Sequence, residues 1–334
     1  MSSHAAGLDF GFTAAEEALR ERARAYIRRE LTPELLRETD VDGRAPMELL
    51  PGMATEGFIG LSVPTEYGGA SGSATDVSVL LEEFGRASLS IASFLNRALG
   101  WGVEAILRFG TDAQKRRLLP RVCAGELMFA FSHTESGAGS DAAAIRTRAV
   151  ATGDDFVING SKLFTSGAAE SPALIVTART DPSLTRHKGL SVFLIDRETP
   201  GITCRRIEKM GMRAAGTLGE VHYQDVRVPR STLLGGVNNG WQVITGTLER
   251  ARIAQASYCV GAAQRTIDDA IAHVKAHRGT TGLPQAETHL LVNLQMRTDA
   301  ARLLLYRAAA LVDEGVACAR EASIANLEIG RAHV

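Results

Sequence analysis

The spacing of apolar residues changes twice along this chain of 334 residues. Residues 9–127 have apolar positions at helical spacing, beginning after a capping-box pair at Thr13 and Glu16. Residues 128–236 instead carry short β-type runs between turn signals, and residues 237–328 return to helical spacing. Because the chain is too long for one small core, these changes of period predict three domains, which are helical, β and helical in order.

The three segments together predict an α+β multidomain fold. Turn signals at 159–160 and 200–201 bound apolar runs such as 191–195, a rhythm typical of an antiparallel β-barrel or sandwich. Residues 241–277 and 285–314 predict two long antiparallel helices of a C-terminal bundle. Two helices cannot close a bundle core, so we expect the bundle to be incomplete in this chain or to be covered by a partner.

Composition argues against several kinds of partner and site. The net charge is -1 and no basic block is present, which argues against nucleic acid as a partner. The apolar runs are too short to span a bilayer and the first residues lack a signal-peptide pattern, so we expect a cytoplasmic protein. No cluster has metal-ligand spacing. The cysteines lie far apart, which fits a reducing compartment: Cys123, Cys204, Cys259 and Cys318.

The stretch from Thr134 to Asp141 carries the strongest sign of a binding site. Its sequence is Thr-Glu-Ser-Gly-Ala-Gly-Ser-Asp, and it follows an apolar run at 127–131 that predicts a strand. Its N–H and hydroxyl groups suit an anionic or carbonyl-rich ligand, but a plain surface turn has the same composition. Residues 137–142 also satisfy the G-x-G-x-x-A dinucleotide pattern. The alternating residues that follow predict a hairpin instead of the helix which that pattern requires.

Further motifs occur in order on both sides of this stretch, and in combination they resemble the acyl-CoA dehydrogenase family of FAD flavoproteins. The resemblance covers almost the whole chain and implies that family's helical, β and helical domains. The matching motifs are Pro64-x-x-Tyr67-Gly68-Gly69, Gly110-Thr111-x-x-Gln114-Lys115, Asn159-Gly160-x-Lys162-x-Phe164-Thr165-Ser166, Met210-Gly211-Met212-Arg213 and Glu249-Arg250.

The resemblance implies a set of contacts with the cofactor FAD. Phe131, His133 and Thr134 would lie at the edge of the flavin ring, with the Thr134 hydroxyl near its N5 and O4 region. Gly139 and Ser140 would line the junction between the flavin and the acyl-CoA. The alternatives for the residues on the other side of the ring are a core aromatic and a solvated turn. Those residues are Phe164, Thr165 and Ser166.

Two arginines are assigned by the same resemblance. Arg278 would reach the FAD pyrophosphate of a neighbouring subunit in a homodimer or homotetramer, and the alternative is a helix-end arginine that offsets the helix dipole. Arg250 would sit near the mouth of the active site and bind the acyl-CoA substrate, as would Ser140. The sequence departs from the family at Ser136, where proline is common, and at Thr281, where an aromatic residue is usual.

The implied reaction is α,β-dehydrogenation of an acyl-CoA to the trans-2-enoyl-CoA, with electrons passed to an electron-transfer flavoprotein or a similar acceptor. A carboxylate must remove the α-proton, and in most of the family it lies on a late loop absent from this sequence. Glu249 matches the position used by isovaleryl and long-chain members and is the candidate base. The alternative is a charged face residue paired with Arg250 or Arg252. Two other functions stay open: a non-catalytic FAD- and acyl-CoA-binding partner subunit, and a flavin oxidase or monooxygenase on the same fold.

The last six residues do not resemble the family. Residues 329–334 match the translation of a sequencing-adapter oligonucleotide, so we expect a gene cut near Glu328 and a non-native tail. On this hypothesis the chain is a C-terminally truncated member that lacks the late helices and the usual base. Genomic sequence that encodes the same tail and continues beyond it would contradict the hypothesis.

Overall fold

The structure, a computed structural model, describes residues 11–184, 186–278 and 285–332. The predicted capping box at Thr13 begins the first helix, since the Thr13 hydroxyl accepts the N–H of Glu16 and the Glu16 carboxylate accepts the N–H of Thr13. Phe58 and Phe84 pack edge to face in the helical core, with ring centroids 5.9 Å apart. The helices of this part are α1 Ala14–Glu30, α2 Pro33–Asp42, α3 Leu50–Thr55, α4 Ala74–Ala87, α5 Leu89–Leu99, α6 Trp101–Phe109 and α7 Asp112–Cys123.

A β-sheet follows, with the strand order β6-β7-β3-β2-β4-β5-β8 and with β1 beside β4. Most neighbours are antiparallel, as predicted. β1 is parallel to β4, and so is the single residue pair between β2 and β4. β1 enters the sheet from α7 and not through a hairpin, which leaves it free to run parallel. The strands are β1 Phe129–Ser132, β2 Arg148–Thr152, β3 Asp155–Ser166, β4 Ala173–Arg179, β5 Leu190–Asp196, β6 Ile202–Ile207, β7 Leu218–Pro229 and β8 Leu233–Leu234.

Strands β4 and β5 are covered on both faces. Ile175 and Leu194 belong to the core of the helical part, whereas Leu174 and Phe193 belong to the interior of the β part. Because side chains alternate along a strand, one face of these strands packs against the helices. The ends of β1 and β3 therefore meet α5 and α6 at the boundary between the two parts.

The C-terminal part contains the two predicted long helices and a third helix that was not predicted. Ala308 and Ala325 belong to a core rich in alanine that the three helices share. Ile329, the first residue of the expected tail, is 1% exposed in this core, and the third helix continues beyond it. The origin of residues 329–334 stays a prediction. The helices are α8 Gly240–Arg278, α9 Gln285–Asp313 and α10 Ala319–Ala332.

Helices α4 and α8 cross at two glycines. A Cβ atom on Gly85 would lie 2.2 Å from the carbonyl oxygen of Tyr258, and one on Gly261 would lie 2.0 Å from that of Glu82. Only glycine allows two backbones to approach this closely. The Asp313 carboxylate of α9 also accepts hydrogen bonds from the first N–H groups of α4. The position of α4 is thus fixed by α8 and α9.

The described residues show neither a membrane-spanning helix, nor a disulfide, nor a metal site. Their helices include none with the length and apolar character needed to cross a membrane. The four cysteines are free thiols. Within the same residues, no group of three or more His, Cys, Asp or Glu side chains is placed to hold a metal ion.

Candidate active site

A cavity of 320 Å³, called here the flavin cavity, lies where the ends of β1 and β3 meet α5 and α6. Trp101 meets Phe131 edge to face in its wall, with ring centroids 4.4 Å apart. This combination of aromatic and polar side chains suits a flat ring with polar edges. Four of the predicted flavin contacts line the cavity: Phe131, Thr134, Phe164 and Ser166.

Phe164 has a strained backbone. Its φ angle is +57°, and the pairing of β3 with β7 shifts register between Lys162 and Thr165. The Phe164 side chain is 58% exposed, so it is not the core aromatic considered as an alternative. Positive φ in a bulky residue is costly and occurs mainly at ligand sites, which supports the predicted role of Phe164 at the flavin ring.

Thr165 does not face the flavin cavity, and this corrects the prediction. Its side chain is fully buried, and its hydroxyl lies 3.2 Å from that of Ser132. The Tyr223 hydroxyl donates to the same Ser132 oxygen at 2.8 Å. Because side chains alternate along a strand, Phe164 and Ser166 face the cavity while Thr165 points into the β part.

Gly139 and Ser140 lie on the exposed side of the loop after β1. Glu135 and Ala138 close a tight turn in this loop with two N–H···O bonds of 3.1 Å each. A Cβ atom on Gly139 would meet open space, so its backbone is accessible to a ligand. The predicted role of both residues at the flavin–acyl-CoA junction stays a prediction.

A buried ion pair holds the start of this loop. Lys162 is 0% exposed, and its Nζ donates to a Glu135 carboxylate oxygen at 2.8 Å and to the His133 carbonyl at 2.9 Å. Glu135 also accepts the backbone N–H groups of Arg146 and Thr147, at 2.7 and 2.9 Å. Burial lowers the pKa of Lys162 to about 8 and Glu135 opposes the shift. Burial raises the pKa of Glu135, but Lys162 and the N–H donors outweigh it and hold that pKa below its usual value. Both groups are charged at neutral pH.

His133 lies behind the flavin cavity. Its ring stacks on Phe131 with centroids 5.5 Å apart, and its Nδ1 lies 3.0 Å from the Thr177 hydroxyl. Its Nε2 is buried and has no hydrogen-bond partner among the described residues. Burial, aided by the nearby positive charge of Lys162, lowers the pKa of His133 to about 4, and Glu135 opposes the shift. The folded protein therefore holds a neutral imidazole.

This neutral imidazole predicts a pH-dependent stability. The unfolded chain protonates His133 near pH 6.5, but the folded chain does so only near pH 4. As the pH falls between these values the unfolded state binds more protons, so the free energy of unfolding should fall, by roughly 3 kcal/mol in all. His133→Asn should remove this part of the slope in denaturant titrations from pH 7 to 4. His289→Asn, at an exposed position, is the control. An unchanged slope in the His133 variant would contradict the assignment.

Positive charge lines the flavin cavity opposite the loop. Arg97 and Lys209 are both wall residues. Arg97 donates to a Glu170 carboxylate oxygen at 3.2 Å and to the Ala215 carbonyl at 3.1 Å, and its Nε is buried without a partner among the described residues. Burial lowers the pKa of Arg97 and Glu170 opposes this. Positive charges at these positions stabilise a bound ligand that gains electrons during the reaction.

A second cavity of 40 Å³, called here the acyl cavity, adjoins the flavin cavity. Asn96 and Trp101 line both. Its other walls come from α4, α6 and the first half of α8, so the glycine crossing of α4 and α8 controls its width. Most lining side chains are small or apolar, which suits a narrow chain. The wall residues supplied by α4 and α8 are Ala74, Val77, Ser78, Thr247, Arg250, Ala251, Ile253 and Ala254.

The structure separates the two predicted residues of α8. Arg250 lines the acyl cavity, as the substrate-contact prediction requires. Glu249 instead lines a third cavity of 510 Å³, together with Arg108 and Arg252. Thr247, Arg250, Ala251 and Ala254 follow the spacing of one helix face, and Glu249 falls outside that face. The structure thus gives no support to Glu249 as the base for a substrate in the acyl cavity. Its catalytic role stays a prediction.

The remaining site residues are one predicted arginine at the end of α8 and three cavity residues that the sequence did not predict. Arg278 ends α8, and its side chain lies outside the described residues, so its contact with FAD pyrophosphate stays a prediction. The sequence prediction missed Asn96, Arg97 and Glu104 as wall residues of the cavities. Within an amphipathic helical run such side chains look like an ordinary solvated face. Their only signal was a polar residue among apolar neighbours.

Comparison with known proteins identifies the family. The N-terminal, middle and C-terminal domain models of acyl-CoA dehydrogenases match residues 13–126, 130–226 and 238–334. The 3-(aryl)acrylate reductase of Clostridium sporogenes is 36% identical over 94% of this chain and 84% of the relative. Subunit CarC of the caffeyl-CoA reductase-Etf complex of Acetobacterium woodii is 34% identical, over 94% and 83%.

The fold agrees with these sequence matches. The solved structure of butyryl-CoA dehydrogenase from Megasphaera elsdenii superposes with a TM-score of 0.91 at 29% identity, over 97% of this chain and 86% of that one. Helical, β and helical parts occur in the same order as the three matched domains. The chain therefore belongs to the acyl-CoA dehydrogenase family of FAD-dependent oxidoreductases.

Proposed function

We propose that this protein catalyses the α,β-dehydrogenation of an acyl-CoA thioester to the trans-2-enoyl-CoA. The observation that carries the proposal is the shared wall of the two cavities, formed by Asn96 and Trp101. A thioester whose chain enters the acyl cavity would hold its reacting carbons beside a ring in the flavin cavity. Close, fixed placement of the reacting atoms is what hydride transfer requires.

The residues of the flavin cavity fit FAD. A buried nitrogen atom of a wall residue, Arg97 Nε, has no partner among the described residues. A buried polar atom without a partner is costly, so a polar ligand in the cavity would account for it. Phe164 presents a strained, exposed ring to the same space. When bound, FAD supplies the two-electron acceptor for the hydride that leaves the β-carbon, while the α-proton would pass to a carboxylate base.

The chain's own residues would bind the ring and exclude water. The Thr134 and Ser166 hydroxyls line the cavity and would hydrogen-bond the polar edge of the ring. Phe131, Trp101 and Phe164 provide apolar surfaces that keep water away from the reacting carbons. The Glu135–Lys162 pair acts indirectly, because it fixes the loop that carries Thr134.

The variant Glu249→Gln tests whether Glu249 is the predicted catalytic base. Loss of a general base lowers turnover by about a hundredfold to ten-thousandfold. Because Glu249 lines a different cavity from the acyl cavity, we expect Glu249→Gln to change kcat by less than about threefold, well short of that loss. The measurement is steady-state turnover with an artificial electron acceptor, at matched FAD content and melting temperature. A loss of a hundredfold or more would restore Glu249 as the base.

We also propose an electron-transfer flavoprotein, or a similar protein, as the electron acceptor and a homodimer or homotetramer as the assembly. The relative from Acetobacterium woodii is a subunit of a complex with Etf, which supports such an acceptor. Exposed apolar side chains on α9 support a subunit interface, because three of the four, Val292, Met296 and Leu303, recur at helical spacing on one face of the helix. They are Leu290, Val292, Met296 and Leu303.

The reaction is tested with the FAD-reconstituted protein under anaerobic conditions. Saturated acyl-CoAs of increasing chain length should bleach the flavin absorption and yield the enoyl-CoA. Bound FAD and acyl-CoA without bleaching would support the non-catalytic partner subunit instead. Rapid reoxidation by oxygen, with little transfer to an electron-transfer flavoprotein, would support an oxidase or monooxygenase. Because two relatives are named reductases, enoyl-CoA reduction with a reduced donor is measured in parallel.

A further inference from the structure

The acyl cavity carries polar groups that an unsubstituted alkyl chain cannot satisfy. The Oδ1 atom of Asn96 is buried and has no hydrogen-bond partner among the described residues. The Glu104 side chain is 14% exposed and lines the same cavity, where its carboxylate lies 3.1 Å from Arg250 Nε. Burial raises the pKa of Glu104, while Arg250 and Arg108 oppose the shift. Such groups are costly in a cavity that holds only hydrocarbon.

Two of the three hydroxyl side chains in the wall, those of Ser78 and Thr247, add acceptors and not donors. Ser78 donates its hydroxyl hydrogen to the Ala74 carbonyl at 2.9 Å. Thr247 donates to the Ile244 carbonyl at 2.9 Å. These hydrogens are used within their own helices, so the oxygen lone pairs are what the two residues can offer to a ligand. A ligand that brings a hydrogen-bond donor can therefore pair with these acceptors.

The charged residues of the acyl cavity favour a ligand with a neutral hydrogen-bond donor over a ligand with a charged group. Glu104 and Arg250 are the charged residues in the wall of the acyl cavity, and they are paired with each other. A carboxylate on the ligand would have to approach Arg250 beside Glu104, and an ammonium group would approach Arg250 itself. A hydroxyl meets neither repulsion. It both donates and accepts, so it also pairs with Asn96 in either orientation of the amide.

We propose that Asn96 and the Glu104–Arg250 pair form a polar subsite that selects acyl thioesters with a hydroxyl group beyond the reacting C2–C3 bond. This inference rests on the proposed dehydrogenation and specifies its substrate class. Asn96, on α5, lines both cavities, whereas Glu104, on α6, lines the acyl cavity and not the flavin cavity, so the subsite extends from the junction into the acyl cavity, away from the ring. A site that hydrogen-bonds a substrate hydroxyl discriminates strongly against the alkyl analogue, because its own polar groups are then left unpaired.

The test compares 5-hydroxypentanoyl-CoA with hexanoyl-CoA, in which a methyl group replaces the hydroxyl. We expect kcat/KM to favour the hydroxylated thioester by about tenfold to a hundredfold. Binding of the two matching 2-enoyl products, followed by the change in flavin absorption, should show the same ratio without turnover. Equal or better use of hexanoyl-CoA by the wild-type protein would overturn the proposal. If neither compound, nor any unsubstituted acyl-CoA, binds or reacts, the proposed dehydrogenation itself fails.

Variants locate the preference within the cavity. Asn96→Leu should reduce the ratio to about one, and Asn96→Asp, which keeps an acceptor, should retain most of it. Glu104→Leu combined with Arg250→Leu removes the pair without leaving a buried charge alone, and it should also reduce the ratio. Val77→Ala, in the same wall, is the control and should change both substrates together. A preference that survives both the Asn96→Leu and the double variant overturns the subsite. Loss of FAD from Asn96→Leu with an unchanged ratio would assign Asn96 to the flavin instead, and would also count against the proposal.

Discussion

Replacing Gly261 with alanine should destabilise the protein by about 2–3 kcal/mol or more. The added Cβ would lie 2.0 Å from the Glu82 carbonyl oxygen and 2.7 Å from the Arg86 nitrogen. Both are backbone atoms of α4, so no side-chain rotation can relieve the overlap. The two helices must move apart. We expect a melting temperature lower by roughly 5 °C or more.

The same crossing predicts a functional effect. The α4 side chains Val77 and Ser78 and the α8 side chains Thr247 and Ala251 face each other across the acyl cavity. Separation of the helices would widen this cavity, so Gly261→Ala should raise KM for short acyl chains more than for long ones. Steady-state kinetics on a chain-length series measures this shift.

Two further glycine variants complete this experiment. Gly85→Ala should act like the first variant, because its Cβ would lie 2.2 Å from the Tyr258 carbonyl oxygen on α8. Gly330→Ala is the control, since its Cβ would meet no atom of the described residues within 4 Å and alanine favours a helix. If Gly261→Ala were as stable as Gly330→Ala, the close crossing of α4 and α8 would be wrong.

The sequence predicted well wherever local chemistry decides the structure. The capping pairs at Thr13 and Thr111 begin α1 and α7, because hydrogen bonds over three residues fix a helix start. The change of period near residue 128 marks the first strand, and the turn at 159–160 lies in β3, where the chain bends but does not end. The Asn-Gly signal at 159–160 therefore marks a bulge within β3 and not a hairpin turn. A glycine in an apolar run is compatible with a bulge as well as with a turn.

The candidate site was predictable on its β side and not on its helical side. The loop at Thr134 has an unusual composition, so its residues stand out in the sequence. Asn96 and Glu104 occupy ordinary helix positions, and they acquire a role only because α6 packs beside α5 and α8 across a cavity. Thr165 and Glu249 show the complementary difficulty, since a motif names a residue but the strand or helix period decides where its side chain points. Only the register shift in β3 shows that the hydroxyl of Ser166, and not that of Thr165, faces the flavin cavity.

Replacing Lys162 with methionine is expected to have the largest effect on the flavin cavity. The substitution leaves the Glu135 carboxylate buried without its cation, which costs about 3–5 kcal/mol. It also removes the bond to the His133 carbonyl, so the backbone beside Thr134 loses its support. We expect a lower melting temperature and an affinity for FAD reduced by tenfold or more, measured by flavin fluorescence on dilution. The control is Lys188→Met, at an exposed position.

A double variant separates charge from packing in this result. If the loss arises because Glu135 is left as an unpaired buried charge, adding Glu135→Gln to Lys162→Met should recover part of the stability. Recovery of FAD binding should be smaller, since the bond from Nζ to the His133 carbonyl is absent in both variants. A double variant as unstable as Lys162→Met would mean that the lysine acts through packing and not through its charge. FAD affinity close to that of the wild type in Lys162→Met would show that the loop keeps its shape without the pair. The predicted link between the buried pair and the Thr134 hydroxyl would then be wrong.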